Sequence, residues 1–191
     1  MGFLDKAVKI AATAKVQLDE VRDARAAAAV KPVEAAPHNE QEEEVVERAR
    51  EHGAPDPRLL LLQLEAMETL GQPVGGPSLT YGDDTLGVKF EASAPGNRHW
   101  RAEVSAFHGT DDDRHFDAAA HWFGFVRDLV ADDATPVPGL GDDALQRDDD
   151  LYVLAGPVLL MVAVRTPDGP DGGDRERTQA LARQVVGRLL G

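Results

Sequence analysis

Between Ser78 and Val164 the chain runs in short stretches of alternating apolar and polar residues, separated by only a few turn residues. Thr85–Ala92 alternates, and so does His99–Phe107 through Trp100, Ala102, Val104 and Ala106. Ser78–Tyr81 is a shorter run of the same kind, and Gly82-Asp83-Asp84 and Pro95-Gly96-Asn97 supply the turns. Leu145, Leu151–Leu154 and Val158–Val164 read as further strands, the last two joined across Ala155-Gly156-Pro157. A parallel crossover needs roughly a dozen residues or more, so strands linked this closely pair antiparallel.

Helical patterns punctuate the strands. Leu60, Leu64, Met67 and Leu70 stand at helical spacing before Gly71. A second helix is expected from Thr110 to about Val130, with Thr110 as cap, Asp113 three residues on, and Phe116, Ala119, Ala120, Phe123, Val126 and Val130 on one face. A last helix begins at Asp174, read as its N-cap, with Leu181, Ala182, Val185 and Leu189 on one side. The order is helix, three strands, helix, two or three strands, helix. It predicts an α+β domain over residues 57–191, with an antiparallel sheet of about five or six strands and helices packed on it. The two halves have the look of a loose βββα duplication.

Ahead of this domain the pattern is different. At about 100° per residue, Phe3, Leu4, Ala7, Ile10, Ala11, Ala14, Leu18 and Val21 fall in one stripe, opposite Asp5, Lys6, Lys9, Asp19 and Glu20. Residues 1–29 therefore read as an amphipathic helix. Phe3, Leu4, Ala7, Ile10, Ala14, Leu18 and Val21 are its candidate partner-binding residues, by self-association, by docking on a protein partner or on its own domain, or by resting on a membrane surface. Only Phe3, Leu4, Ile10, Leu18 and Val21 among the stripe are larger than alanine, which makes membrane contact weak. Residues 30–56 read as an acidic linker through Glu42-Glu43-Glu44 that runs into a short helix, Glu40 to Glu51, stopping at Gly53.

Charge narrows the function. The net charge is −14, with 34 acidic against 20 basic residues. Residues 1–29 hold Lys6, Lys9, Lys15, Arg22 and Arg25 against four acids, so the acidic excess lies in residues 30–191. A field of that sign repels phosphate backbones, and nucleic-acid binding is not expected. There are no cysteines, which excludes disulfides, thiolate metal sites and thiol catalysis. Charged residues interrupt the N-terminus from Asp5 onward, and no stretch approaches the ~20 apolar residues of a membrane span. The cytoplasm is the expected location.

Candidate chemistry is thin. His108, Asp111, Asp112, Asp113, His115, Asp117 and His121 are the densest set of possible metal ligands, but His115 and His121 do not share a helical face, and the acids suit a helix start. Asp168, Asp171 and Asp174 lack the ligand spacing of a calcium loop. Gly139-Leu140-Gly141 is followed by Asp142 and Asp143, which would repel a phosphate, and none of Ser78, Ser93 and Ser105 lies in a strand-turn-helix elbow. No catalytic residue, metal or cofactor is assigned.

Leu59-Leu60-Leu61 leading to Leu70-Gly71-Gln72-Pro73-Val74, and Val137-Pro138-Gly139-Leu140-Gly141-Asp142-Asp143-Ala144 with the helix Ala180-Leu181-Ala182-Arg183, resemble small actinobacterial α+β domains of the lipoprotein and PsbP-like kind. The likeness covers residues 57–190. It implies an α+β fold and a non-enzymatic binding or accessory role. Such domains are often tethered through a lipidated cysteine, which this chain does not contain.

The leading expectation is a non-enzymatic interaction or accessory module that self-associates or docks on a partner through its N-terminal helix. Two others compete with it: a small-ligand-binding domain or enzyme with a pocket between sheet and helices near Trp100 and His121, and a peripheral membrane-surface protein.

Overall fold

In the computed structural model of the protein, residues 35–82, 84–93, 100–108, 118–167 and 173–191 are described, all within the unit Val33–Gly191. The amphipathic helix expected over residues 1–29 lies outside them. The alternating runs form one sheet from β1 (Ser78–Tyr81), β2 (Thr85–Glu91), β3 (Arg101–Phe107), β4 (Thr135–Pro136), β5 (Asp143–Arg147), β6 (Asp150–Ala155) and β7 (Val158–Arg165). Its order is β1-β2-β3-β7-β6-β5-β4, and every neighbouring pair is antiparallel. The fold is α+β, with seven strands in place of the five or six expected. The unforeseen strand is β4: two residues, one of them a proline, carry no alternation to read. A proline that cannot donate to a ladder is tolerated at this edge, where Thr135 and Pro136 pair only with Gln146 and Leu145.

Register fixes the two faces. Val88, Phe90, Ala102, Val104, Ala106, Leu151, Val153, Leu160, Val162 and Val164 point to one side and are almost completely buried. Helices α2 (Pro57–Leu60), α3 (Gln63–Leu70) and α5 (Gly173–Leu190) cover that side with Leu60, Leu61, Ala66, Leu70, Leu181, Ala182 and Val185. The other side carries Phe107, Leu145, Tyr152, Leu154 and Leu159, against which α4 (Ala118–Val130) sets Ala119, Phe123, Val126 and Val130. An in-plane duplication about an axis through the sheet would place α4 and α5 on the same face. They lie on opposite faces, so the βββα repetition is one of strand order alone.

The short helix expected in the acidic segment forms as α1 (Glu40–Glu51) and packs on the domain, Val46 and Ala49 meeting Ala54 and Leu86. Asn39 caps it by accepting from the Glu42 N–H at 2.9 Å; Glu40, Glu42 and Glu43 lie in its first turn, Arg48 and Arg50 in its last, as the helix dipole favours. Asp56 caps α2 in the same way through the Arg58 N–H, with Pro57 in the first turn. Gly71, at φ +66°, closes α3 in the left-handed conformation.

Arg188 fastens the helical layer. It donates through Nε to the Leu59 carbonyl at 2.9 Å and through Nη2 to the Leu60 carbonyl at 3.3 Å, and it pairs with Glu65 of α3. One guanidinium thus satisfies carbonyls at the end of α2, which the short helix cannot pair internally. Arg188→Leu removes these bonds and should cost about 1–3 kcal/mol, read as a lower denaturation midpoint at unchanged slope in urea.

Candidate functional site

Phe3, Leu4, Ala7, Ile10, Ala14, Leu18 and Val21 lie outside the described residues, as do Asp111, Asp112, Asp113, His115 and Asp117, together with the cap expected at Thr110. The two described histidines of that cluster go to different places. His108, at the end of β3, is buried and stacks on His52 at the end of α1, centroids 6.2 Å apart. His121 stands exposed on α4 and meets Trp122 edge-on at 6.3 Å. Among the described residues no group of three or more His, Cys, Asp or Glu side chains could hold a metal ion.

The Asp-rich turns are structural. Gly139 and Gly141 have φ of +74° and +63°, and a Cβ on Gly141 would stand 2.3 Å from the Leu154 carbonyl oxygen. Leu140 between them is buried in the main core, and Asp142 accepts from the Gly156 N–H at 2.7 Å, tying this turn to the β6–β7 turn. Gln146, also buried, donates to the carbonyls of Asp148 and Asp150 at 3.0 and 3.2 Å and holds the β5–β6 turn, in which Asp148 has φ +50°.

Asp174 departs from its expected role as N-cap. The helix begins at Gly173, so Asp174 sits inside the first turn, only 1% exposed. Its carboxylate accepts from Thr166 N–H and Oγ1, both at 2.7 Å, and from Arg177 at 3.3 Å. The physical reason is the end of β7, whose last donors need an acceptor where the sheet stops. Thr178 serves the next donor: its hydroxyl accepts from the Val164 N–H at 3.2 Å and donates to the Asp149 carbonyl at 3.4 Å. Burial, and then the Asp174 charge, push the Asp149 carboxyl above its ordinary 3.8. A raised carboxyl binds its proton more readily folded than unfolded, so its contribution to stability falls as pH rises through 3.8 and the folded value above it. Asp149→Asn should raise the thermal midpoint at about pH 7, and the gain should vanish near pH 3, where the carboxyl is protonated in both states.

Two surfaces stand out among the described residues. A groove of about 610 Å³ runs beside α1, floored by Val46, Pro37 and Pro57 and edged by glutamates that include Glu43 and Glu47. Asp56 takes up both arginines there, accepting from Arg50 at 2.9 Å and from Arg58 Nε at 2.9 Å; the Arg58 bond holds its carboxyl down at about 2. The groove is left acidic, which excludes anionic ligands. The second surface is the flank of α4, where Phe125 is 55% and Leu129 68% exposed. Trp122 joins them, set against Phe125 at 5.7 Å and 88° and leaning on Phe107 of β3 at 6.5 Å. Phe125 and Leu129 are absent from the helix face read in the sequence. The signal that finds them is a second apolar spacing, Ala118, Trp122, Phe125 and Leu129, running beside the buried one.

Trp100 and His121 do not frame a common pocket: Trp100 packs on the core beneath α2, α3 and α5, whereas α4, with His121, lies on the opposite face. Among the described residues no helix is long and apolar enough to cross a membrane. The chain matches no protein-family model, no curated protein and no solved structure.

Proposed function

We propose that the protein is a non-enzymatic interaction module, joining other polypeptides through apolar surface carried on helices. The observation that carries this reading is the α4 ridge, where Phe125 and Leu129 stand in solvent beside the half-buried Trp122, on a domain with a packed core on each face of its sheet. Contiguous exposed apolar surface is what association uses, whereas catalysis needs converging polar groups. The polar groups that do converge, around Asp174 and Thr178, are engaged in closing the end of the sheet. The stripe of Phe3, Leu4, Ala7, Ile10, Ala14, Leu18 and Val21 is the primary docking element in this reading, whether on a second copy or on another protein.

The test keeps the full chain. Ile10→Glu with Leu18→Glu places charge in the middle of the stripe, and should abolish cross-linked complexes in cells and lower the light-scattering mass, with the thermal transition of the domain unmoved. Unchanged cross-links together with an unchanged mass overturn the assignment to this stripe.

A further inference from the structure

Helix α1 is tied down at both ends but lightly along its length. Just before it, Ala35 is buried in the main core; just after it, Pro57 and Leu60 are buried in α2. Between those anchors the buried side chains of α1 are Val46 and Ala49 alone. They meet Ala54 and Leu86 in a cluster apart from the main core. The groove of about 610 Å³ lies between α1 and both anchors, lined by Ala35, Val46 and Pro57 among others, so space rather than packed side chains adjoins that flank. The C-terminal end is held further by the Arg50–Asp56 pair at 2.9 Å and by the His52 ring stacked on His108.

Charge works against the docked helix. Six of its 12 residues are glutamate, against Arg48 and Arg50. Glu40 and Glu44, Glu43 and Glu47, and Glu47 and Glu51 stand four apart, where like charges on a helix repel. The rest of the chain is acidic as well, so docking brings like charge to like charge. A helix of 12 residues is also marginal alone in water, so the helix and its contact form and are lost together.

We infer that α1 is a strap: it leaves and rejoins the β1–β2 end of the sheet as one unit, between its anchors at Ala35 and Pro57, while the sheet stays folded. Gly53, at φ +90°, is the turn about which it moves. Ionic strength sets the balance, because salt screens the repulsion between α1 and the rest of the domain and so favours the closed state. Opening takes Val46 and Ala49 off Leu86 and off the partly buried Leu79 of the edge strand β1. The strap is thus a salt-sensitive cover for apolar surface at that edge. It does not depend on the interaction-module reading, since every contact it uses lies within the domain.

Hydrogen exchange of the full chain, followed by mass spectrometry at constant pH, tests this. The α1 amides should exchange together and at least about tenfold faster than those of β3 and β7, since they open without global unfolding. Low concentrations of urea should speed β3 and β7 while barely changing α1, because strap opening exposes little surface. Val153→Ala, in the main core on β6, weakens the sheet in the open and closed states alike. It should speed exchange in β3 and β7 and leave α1 as it was. Raising salt from ~0.02 to ~0.5 M should slow α1 severalfold. Glu43→Gln with Glu47→Gln, both at exposed positions, should slow it at low salt and shrink that response. Equal protection of α1 and the sheet, or an α1 that follows β3 and β7 in urea and in Val153→Ala, overturns the strap, because the helix then opens only by global unfolding. Exchange graded inward from the helix ends, with Val46 and Ala49 as protected as the sheet, is fraying and overturns it too. Faster α1 exchange at high salt, or none of the slowing in the glutamine variant, overturns the control by charge.

Discussion

The pairing of β3 with β7 is the contact on which the rest of the structure depends. Each is the last strand of its own meander, and their ladder, from Arg101↔Arg165 to Phe107↔Leu159, is what makes one sheet of two small ones. Helix α5 lies across β6 and β7 of the second meander and reaches α2 and α3, which rest on β2 and β3 of the first, so this ladder also sets the helical layer that Arg188 fastens. The joining contact is also long in sequence, so its loop-closure cost falls due before the burial of Val104 and Val162 rewards it.

That pairing decides where α4 goes. The chain leaves β3 in the middle of the sheet and must re-enter at β4 on the far edge, beyond β7, β6 and β5. Helix α4 lies along this route, on the face opposite α5, and rests on β6 and β7 through Phe123 and Val126. A helix laid on one half of a sheet has an inner side, an outer side and a flank. Here the flank is apolar too, because Trp122 leans on Phe107 while Phe125 and Leu129 continue the row into solvent. Topology therefore places the ridge, and residue choice makes it sticky.

Much of this was legible in the chain. Period-two runs gave β2, β3 and β6 nearly to the residue, because alternation records one face buried and one less so, whereas β7, buried on both faces, is legible as the continuous apolar run Val158–Val164. β4 was not legible, being two residues long with its proline at an edge. Asp174 misled for a subtler reason. An aspartate at a helix start is normally the cap, yet here Thr166 offers two donors from the neighbouring strand end, and tertiary contact outcompeted the local one. The ridge was missed because α4 carries two apolar spacings side by side; the stronger accounted for the core, and the weaker then had no visible purpose.

That weaker spacing is hard to explain by folding. Phe125 and Leu129 gain little from the folded state, since more than half of each stays in water and the transfer of apolar surface out of water is what rewards burial. Polar residues at both positions would leave the contacts of Phe123, Val126 and Val130 intact. In a chain whose acids outnumber its bases by 34 to 20, exposed charge is plentiful and solubility needs no help from these sites. Large apolar side chains on the flank of a neutral helix, on an otherwise strongly charged protein, are therefore surface that the fold itself does not account for. The acid excess on the rest of the molecule repels other acidic surfaces, so it acts on which partners can approach that surface.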